Sequence, residues 1–305
     1  MTFLGNDRWS VPSLRALAAS AHEVAAVLTA EPKPAGRGNR LTPTPVAEAA
    51  RALGLPLLEV VTVTTGAGFE ALATTGPEVL AVVAYGELLP PEVLRVASIA
   101  PVNLHFSLLP ELRGASPVQT ALLLGLQRTG VTTIEMDEGL DTGPVIVQRP
   151  ESIDPGDDAG SLGGRLAELG AGALVESVDL LGSGRARPRS QDHSAATFAP
   201  RLGSGDRVLD WSRPGEVLVN RCRALSPEPA ATTVFRGEGL KVFRAEAVLA
   251  AGEPGTIVEV RAAGFVVATG DGGLLPLELA PAGRKRMSGS DLVHGYRPQV
   301  GERLG

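Results

Sequence analysis

The densest grouping of chemically capable side chains is Asn103-Leu104-His105-Phe106-Ser107-Leu108-Leu109-Pro110, followed by Arg113-Gly114 and Pro117. Asn103 and His105 are two residues apart in an apolar run, so on a strand both side chains point to one face. An amide N–H so placed donates to an oxygen that gains negative charge. A neutral imidazole accepts or relays a proton near neutral pH. A second grouping, Glu138-Gly139-Leu140-Asp141-Thr142-Gly143, puts a carboxylate in a turn bracketed by glycines. Asp141 there would orient the histidine or take a proton from an amine. Each grouping alone also fits a hydrogen-bonded loop histidine or an ordinary aspartate turn. A third, Pro32-Lys33-Pro34-Ala35-Gly36-Arg37-Gly38-Asn39-Arg40, ends at Pro43 and Pro45 and reads as an exposed loop carrying three cations. It suits contact with a polyanion, or simple solvation. No Gly-Lys-Ser/Thr follows it and no Gly-x-Gly-x-x-Gly follows the first strand, so neither a P-loop nor a dinucleotide site has support.

These groups need elements to position them. The first half alternates short apolar runs with helical spacing. Strands are expected at 3–4, 22–30, 79–85, 99–105, 131–136 and 145–147. Helices are expected at 11–21, 46–53, 90–96, 117–126 and 162–181. The 79–85 run is continuous and rich in β-branched residues, as in a strand buried on both faces. The alternation is that of a doubly wound α/β sheet, whose ligands bind beyond the carboxyl ends of the strands. Arg185-Ala186-Arg187-Pro188-Arg189-Ser190 opens a polar stretch read as a linker over 185–204. Beyond it come one helix at 217–224 and five glycine-punctuated strands between 232 and 279, the pattern of a small OB-type β-barrel.

Composition narrows the function classes. The chain has 305 residues, 44% of them hydrophobic, which excludes wholesale disorder. No apolar run reaches membrane-spanning length and the first residues do not resemble a secretory signal, so a cytoplasmic protein with no membrane association is expected. The single cysteine, Cys222, and four scattered histidines write no disulfide and no metal site. The net charge of −6 hides an asymmetry. Residues 1–184 carry 11 basic and 21 acidic side chains, whereas 185–305 carry 17 basic and 13 acidic. The second half is therefore the one suited to phosphate.

The run 103–110 with Arg113-Gly114, and the turn Asp137-Glu138-Gly139-Leu140-Asp141-Thr142-Gly143, resemble the signature of the folate-dependent formyltransferases. Further segments resemble the tRNA-acting branch of that family: Pro34-Ala35-Gly36-Arg37-Gly38, Val83-Ala84-Tyr85-Gly86, Asp210-Trp211-Ser212 and Pro281-Ala282-Gly283-Arg284-Lys285-Arg286-Met287. The similarity spans nearly the whole chain. It implies a Rossmann-like formyltransferase domain over 1–184 and an OB-like tRNA-binding domain over 205–305. It also implies transfer of the formyl group of 10-formyltetrahydrofolate to the α-amine of methionyl initiator tRNA, by a monomer without metal. Asn103, His105 and Asp141 would be the catalytic groups. Val83, Tyr85, Gly86, Leu88, Leu89, Ser107, Leu108, Leu109, Pro110, Gly139, Leu140 and Thr142 would border the folate. Trp9 would shape the methionyl pocket, Lys33, Arg37 and Arg40 would enter the acceptor end, and Arg284, Lys285 and Arg286 would hold the tRNA backbone.

Some positions depart from the family pattern. Gly5 is followed by Asn6-Asp7 rather than Thr-Pro, Trp9 stands for a phenylalanine, Phe106 for a glycine and Glu228 for an aromatic residue. An enzyme formylating an amino-sugar nucleotide or another small amine would use the same trio without the basic loop or barrel. An RNA-binding protein on an inactive scaffold would not need the trio intact.

Overall fold

The computed structural model describes residues 1–35 and 38–305. Two compact units emerge, one of residues 1–117, 128–152 and 163–200, the other of 118–127, 153–162 and 201–305. Among the described residues, no helix is long and apolar enough to cross a membrane.

The first unit is built on a seven-stranded sheet. Its strands are β1 (Thr2–Gly5), β2 (Ala26–Ala30), β5 (Leu57–Val60), β6 (Val79–Val83), β7 (Ala100–His105), β8 (Arg128–Glu135) and β9 (Val145–Ser152), in the order β5-β2-β1-β6-β7-β8-β9. The strands from β5 to β7 run parallel, with Phe3 opposite both Val27 and Ala81 and Val82 opposite Asn103. β8 and β9 are antiparallel, so the doubly wound half ends at β7. Every residue of β1 and β6 is buried. This is why the apolar run at 79–83 reads so clearly, and why a four-residue β1 suffices. Chain order reverses between β1 and β6, and in open α/β sheets the crevice beyond such a reversal is the usual ligand site.

Helices α1 (Val11–Ala19), α2 (Pro45–Ala52), α3 (Gly66–Thr74), α4 (Pro91–Leu94) and α5 (Pro117–Leu123) lie between the strands and α6 (Ala159–Gly182) follows β9, with residues 118–123 and 159–162 belonging to the second unit. The α2 start was legible, with Thr44 accepting from the Ala47 N–H at 3.0 Å and Pro45 at its first position. β5 and α3 were not. The first is a short, half-buried edge strand, and the second opens with two glycines, Gly66 and Gly68, which are poor helix formers. The basic loop holds a hairpin, β3 (Lys33–Ala35) against β4 (Arg40–Thr42). Residues 185–200, expected as part of a linker, belong to the first unit. Arg189 exchanges both backbone hydrogen bonds with Val145, and Arg113 is bonded to Thr197 and Ala199.

In the second unit, α7 (Gly215–Leu225) precedes β10 (Ala231–Phe235), β11 (Glu238–Val248), β12 (Ile257–Arg261), β13 (Gly264–Ala268) and β14 (Gly273–Pro281). These pair antiparallel in the order β10-β11-β14-β13-β12, with β15 (Met287–Ser288) on β14 and α8 (Gly289–Tyr296) following. The chain terminus joins the two edge strands. Leu304 bridges Phe235 of β10 while Arg303 bridges Thr256 beside β12, and the Ile257 N–H donates to the Glu302 carbonyl at 2.7 Å. The edges are thereby covered, as in a closed barrel. Phe235, Phe265, Leu274 and Leu304 share its core with Trp211, whose Nε1 donates to Thr233 Oγ1 at 3.1 Å.

Because Leu304 is buried at this closure, Leu304→Ala should lower the unfolding free energy by about 2–5 kcal/mol. Denaturant unfolding followed through Trp211 fluorescence, in a Trp9→Phe background, measures it. A loss well under 1 kcal/mol would show that the terminus does not latch the barrel.

Candidate active site

Asn103 and His105 lie at the carboxyl end of β7, with His105 opposite Thr132 of β8. Their side chains share a face and meet Asp141, which arrives from the turn between β8 and β9. Asn103 Nδ2 donates to Asp141 Oδ1 at 3.4 Å. His105 Nδ1 is 3.6 Å from Asp141 Oδ2, which also accepts the Gly114 N–H at 2.8 Å. On its far side, His105 Nε2 sits 2.9 Å from the Leu112 carbonyl. A carbonyl only accepts, so Nε2 carries a hydrogen and Nδ1 is the nitrogen turned to the carboxylate. A proton arriving at Nδ1 is therefore met by Oδ2. The His105 side chain is 6% exposed and that of Asp141 12%, so this contact is weakly screened by solvent.

Both partners of His105 stand on left-handed backbone: φ is 54° at Asp141 and 57° at Leu112. Each costs on the order of 1–2 kcal/mol for an ordinary residue, less for aspartate. Strain of this kind collects where surrounding contacts over-determine the backbone. Here those contacts are visible. Asp137 Oδ1 accepts from the Gly139 N–H at 3.1 Å and from Thr142 Oγ1 at 2.6 Å, folding the turn on itself. A Cβ at Gly143 would lie 1.8 Å from the Glu135 carbonyl oxygen, so only glycine lets the turn close against β8.

The flanking segments border the same sheet edge. Met136 packs on the cluster holding Tyr85 and Leu89, and Arg95 reaches Glu138 at 3.9 Å. Val83 ends β6, its carbonyl accepting from Ser10 Oγ at 2.7 Å. Tyr85 is buried, which pushes its phenol above the ordinary range with the nearby Glu87 charge adding to the effect. Its carbonyl accepts from Asn6 Nδ2. Gly86 is left-handed at φ 88°. Leu89 is buried, whereas Leu88 and Leu140 are large apolar side chains left open to solvent. Ser107 and Leu109 are buried. The 107–110 loop is pinned by Thr132 Oγ1, which donates to the Ser107 carbonyl at 2.7 Å and accepts from the Leu109 N–H at 3.1 Å. Leu108 and Pro110 are half-buried in that loop, and Gly139 is exposed beside the half-buried Thr142.

Trp9 rests on α6, where a Cβ at Gly163 would come within 2.1 Å of its ring, and meets Phe106 at 5.9 Å between ring centroids. The two aromatic departures from the family pattern thus pack on each other, and the Phe106 ring is buried. Lys33 and Arg40 are exposed on the β3–β4 hairpin, and Arg37 lies outside the described residues. In the second unit Arg284 and Lys285 are exposed in the turn before β15. Arg286 pairs with Glu278 and lies 4.4 Å over the Phe243 ring. Glu228 is exposed there. Among the described residues, no group of three or more His, Cys, Asp or Glu is arranged to hold a metal.

Sequence reasoning missed two residues. Asn6, noticed only as a departure, ties the ends of β1, β2 and β6. Its Oδ1 accepts from the Ala30 N–H at 2.8 Å and Thr29 Oγ1 at 2.9 Å. Gln191 lies in the stretch read as linker and bonds to the Asp141 turn. Nothing in the local pattern signalled it.

Comparison with known proteins gives the chain's family. Residues 2–178 match the formyl transferase family and residues 201–297 match the formyl transferase C-terminal domain. The methionyl-tRNA formyltransferase of Solibacter usitatus is 40% identical over 307 residues, covering all of this chain and 98% of its own. That of Moorella thermoacetica is 41% identical, covering all of this chain and 99% of its own. In fold, the chain is similar to the N-formyltransferase from Helicobacter canadensis, solved with folinic acid and dTDP-3-aminofucose. The TM-score is 0.66 at 15% identity, over 90% of this chain and 97% of that one. Related along its whole length to such enzymes, the chain belongs to the formyl transferase family, among its methionyl-tRNA formyltransferases.

Proposed function

We propose that the chain transfers the formyl group of 10-formyltetrahydrofolate to the α-amine of methionyl initiator tRNA, with Asn103, His105 and Asp141 as the catalytic residues. The observation that carries the reading is the meeting of these three groups, from segments 38 residues apart, at the carboxyl edge beside the strand reversal. The nitrogen lone pair attacks the formyl carbon, a C–N bond forms, and the carbonyl oxygen becomes an oxyanion. The Asn103 amide donates to that oxygen; one such donor is typically worth about 3–4 kcal/mol of barrier. The amine's proton passes to His105 Nδ1, and Asp141 Oδ2 stabilises the imidazolium. Collapse of the adduct breaks the bond to the folate nitrogen, which leaves with a proton. An α-amine has a reference pKa of about 7.7–8.0, so near physiological pH a minority of it is neutral and able to attack.

The folate co-substrate would lie along 83–89, with the 139–143 turn beside it. Leu88 and Leu140 suit this placement, because they offer apolar surface to a flat ring system. Lys33, Arg37 and Arg40 would approach the acceptor end of the tRNA. Arg284 and Lys285 would meet phosphates, with Arg286 held back by Glu278. Full-length kinship favours the tRNA substrate over an amino-sugar nucleotide.

Asp141→Asn should lower kcat for formyl-methionyl-tRNA formation by about 10²–10⁴-fold with circular dichroism unchanged, since asparagine tolerates the left-handed backbone. Near-normal kcat would remove Asp141 from the reaction. Arg284→Ala with Lys285→Ala should lower kcat/KM for tRNA at about 150 mM salt and flatten its log–log salt dependence by about one for each phosphate no longer neutralised, leaving KM for folate in place. An unchanged salt slope would place the tRNA backbone elsewhere.

A further inference from the structure

The geometry points to Gln191 as a positioning residue that holds the Asp141 turn in register with His105. This inference rests on the catalytic reading of Asp141. Gln191 is buried, and its amide bridges two kinds of partner. Its Oε1 accepts from Arg113 Nη2 at 2.6 Å and Nε at 3.3 Å. Its Nε2 donates to the Asp141 carbonyl at 2.8 Å and the Gly143 carbonyl at 2.7 Å. The amide orientation follows from chemistry, because a guanidinium only donates and a carbonyl only accepts. No other side chain of this length presents an acceptor at one corner and two donors at the other.

The second half of the clamp is Arg113. It is buried as well, and its Nη2 also meets His193 Nδ1 at 3.1 Å. Its backbone is fixed by Thr197 and Ala199. The next residue, Gly114, supplies the N–H that binds Asp141 Oδ2. One short segment thus grips Asp141 twice, from the side chain through Gly114 and from the main chain through Arg113 and Gln191. The Gln191 bonds flank Thr142, so they fix the carbonyl of the strained residue itself and that of the glycine packed on Glu135. Without them, the left-handed Asp141 has a route to relax, and its carboxylate withdraws from the imidazole.

The test is Gln191→Glu in the full chain. It keeps length and the acceptor for Arg113 but faces two carbonyls with an oxygen. Expected are a kcat lowered roughly ten- to a hundredfold, the scale of a small misplacement of catalytic groups, a displaced kcat–pH profile, and KM for folate and tRNA within about twofold. Should that variant not fold, Gln191→Met, of similar length without polar ends, is read in the same way. Retained kcat, or kcat lost with the pH profile in place, overturns the positioning role. Asp141→Asn assayed alongside distinguishes the two ideas. A large loss there with none at Gln191 removes the clamp alone, whereas retained activity in Asp141→Asn removes the carboxylate reading and the clamp with it.

Discussion

The site depends on one contact, the approach of the Asp141 carboxylate to Nδ1 of His105 at the end of β7. The imidazole is pinned from behind by the Leu112 carbonyl, so its one free nitrogen has a single direction. Everything near it keeps a charged oxygen in that direction. The Gly114 N–H and the Asn103 amide neutralise the carboxylate's remaining lone pairs, and a turn bent to a left-handed backbone delivers it. In the proposed reaction, this nearly buried pair of histidine and carboxylate is a polar arrangement already oriented before the substrate arrives, the condition for efficient electrostatic catalysis.

The sheet explains why that contact falls where it does. β7 is the last parallel strand, with β6 on one side and the antiparallel β8 on the other. β8 ends opposite Val102, and the turn that follows it folds back along β7 to bring Asp141 to Asn103 and His105. Asn6 and Ser10 cross-tie the ends of the neighbouring strands.

The proposed reacting groups lie in the acidic half of the chain, and the exposed Arg284 and Lys285 lie in the basic half. Not every cation in the second half is open to a ligand, since Arg286 is already balanced by Glu278 and lies on Phe243. The Trp9–Phe106 contact shows a similar use of space. The bulky Trp9 and Phe106 pack on each other, with Gly163 making room for the indole.

Much was written locally. β6 is buried on both faces and gives a continuous apolar run, so 79–83 was readable; β7, which bears Asn103 and His105, is buried at every residue but Pro101 and Asn103. The Asp-Gly turn chemistry around Asp141 was also local, because glycine and aspartate are what such a backbone tolerates. The β5 edge and the glycine-rich α3 left weak patterns. What only tertiary structure decided was the company those residues keep. The role of Gln191 comes from hydrogen bonds to residues 48 and 50 positions away and to Arg113, 78 away. The closure of the barrel comes from Leu304 meeting strands far upstream. Periodicity and turn propensity act over a few neighbouring residues, whereas hydrogen bonds across a folded core depend on distances that no local spacing encodes.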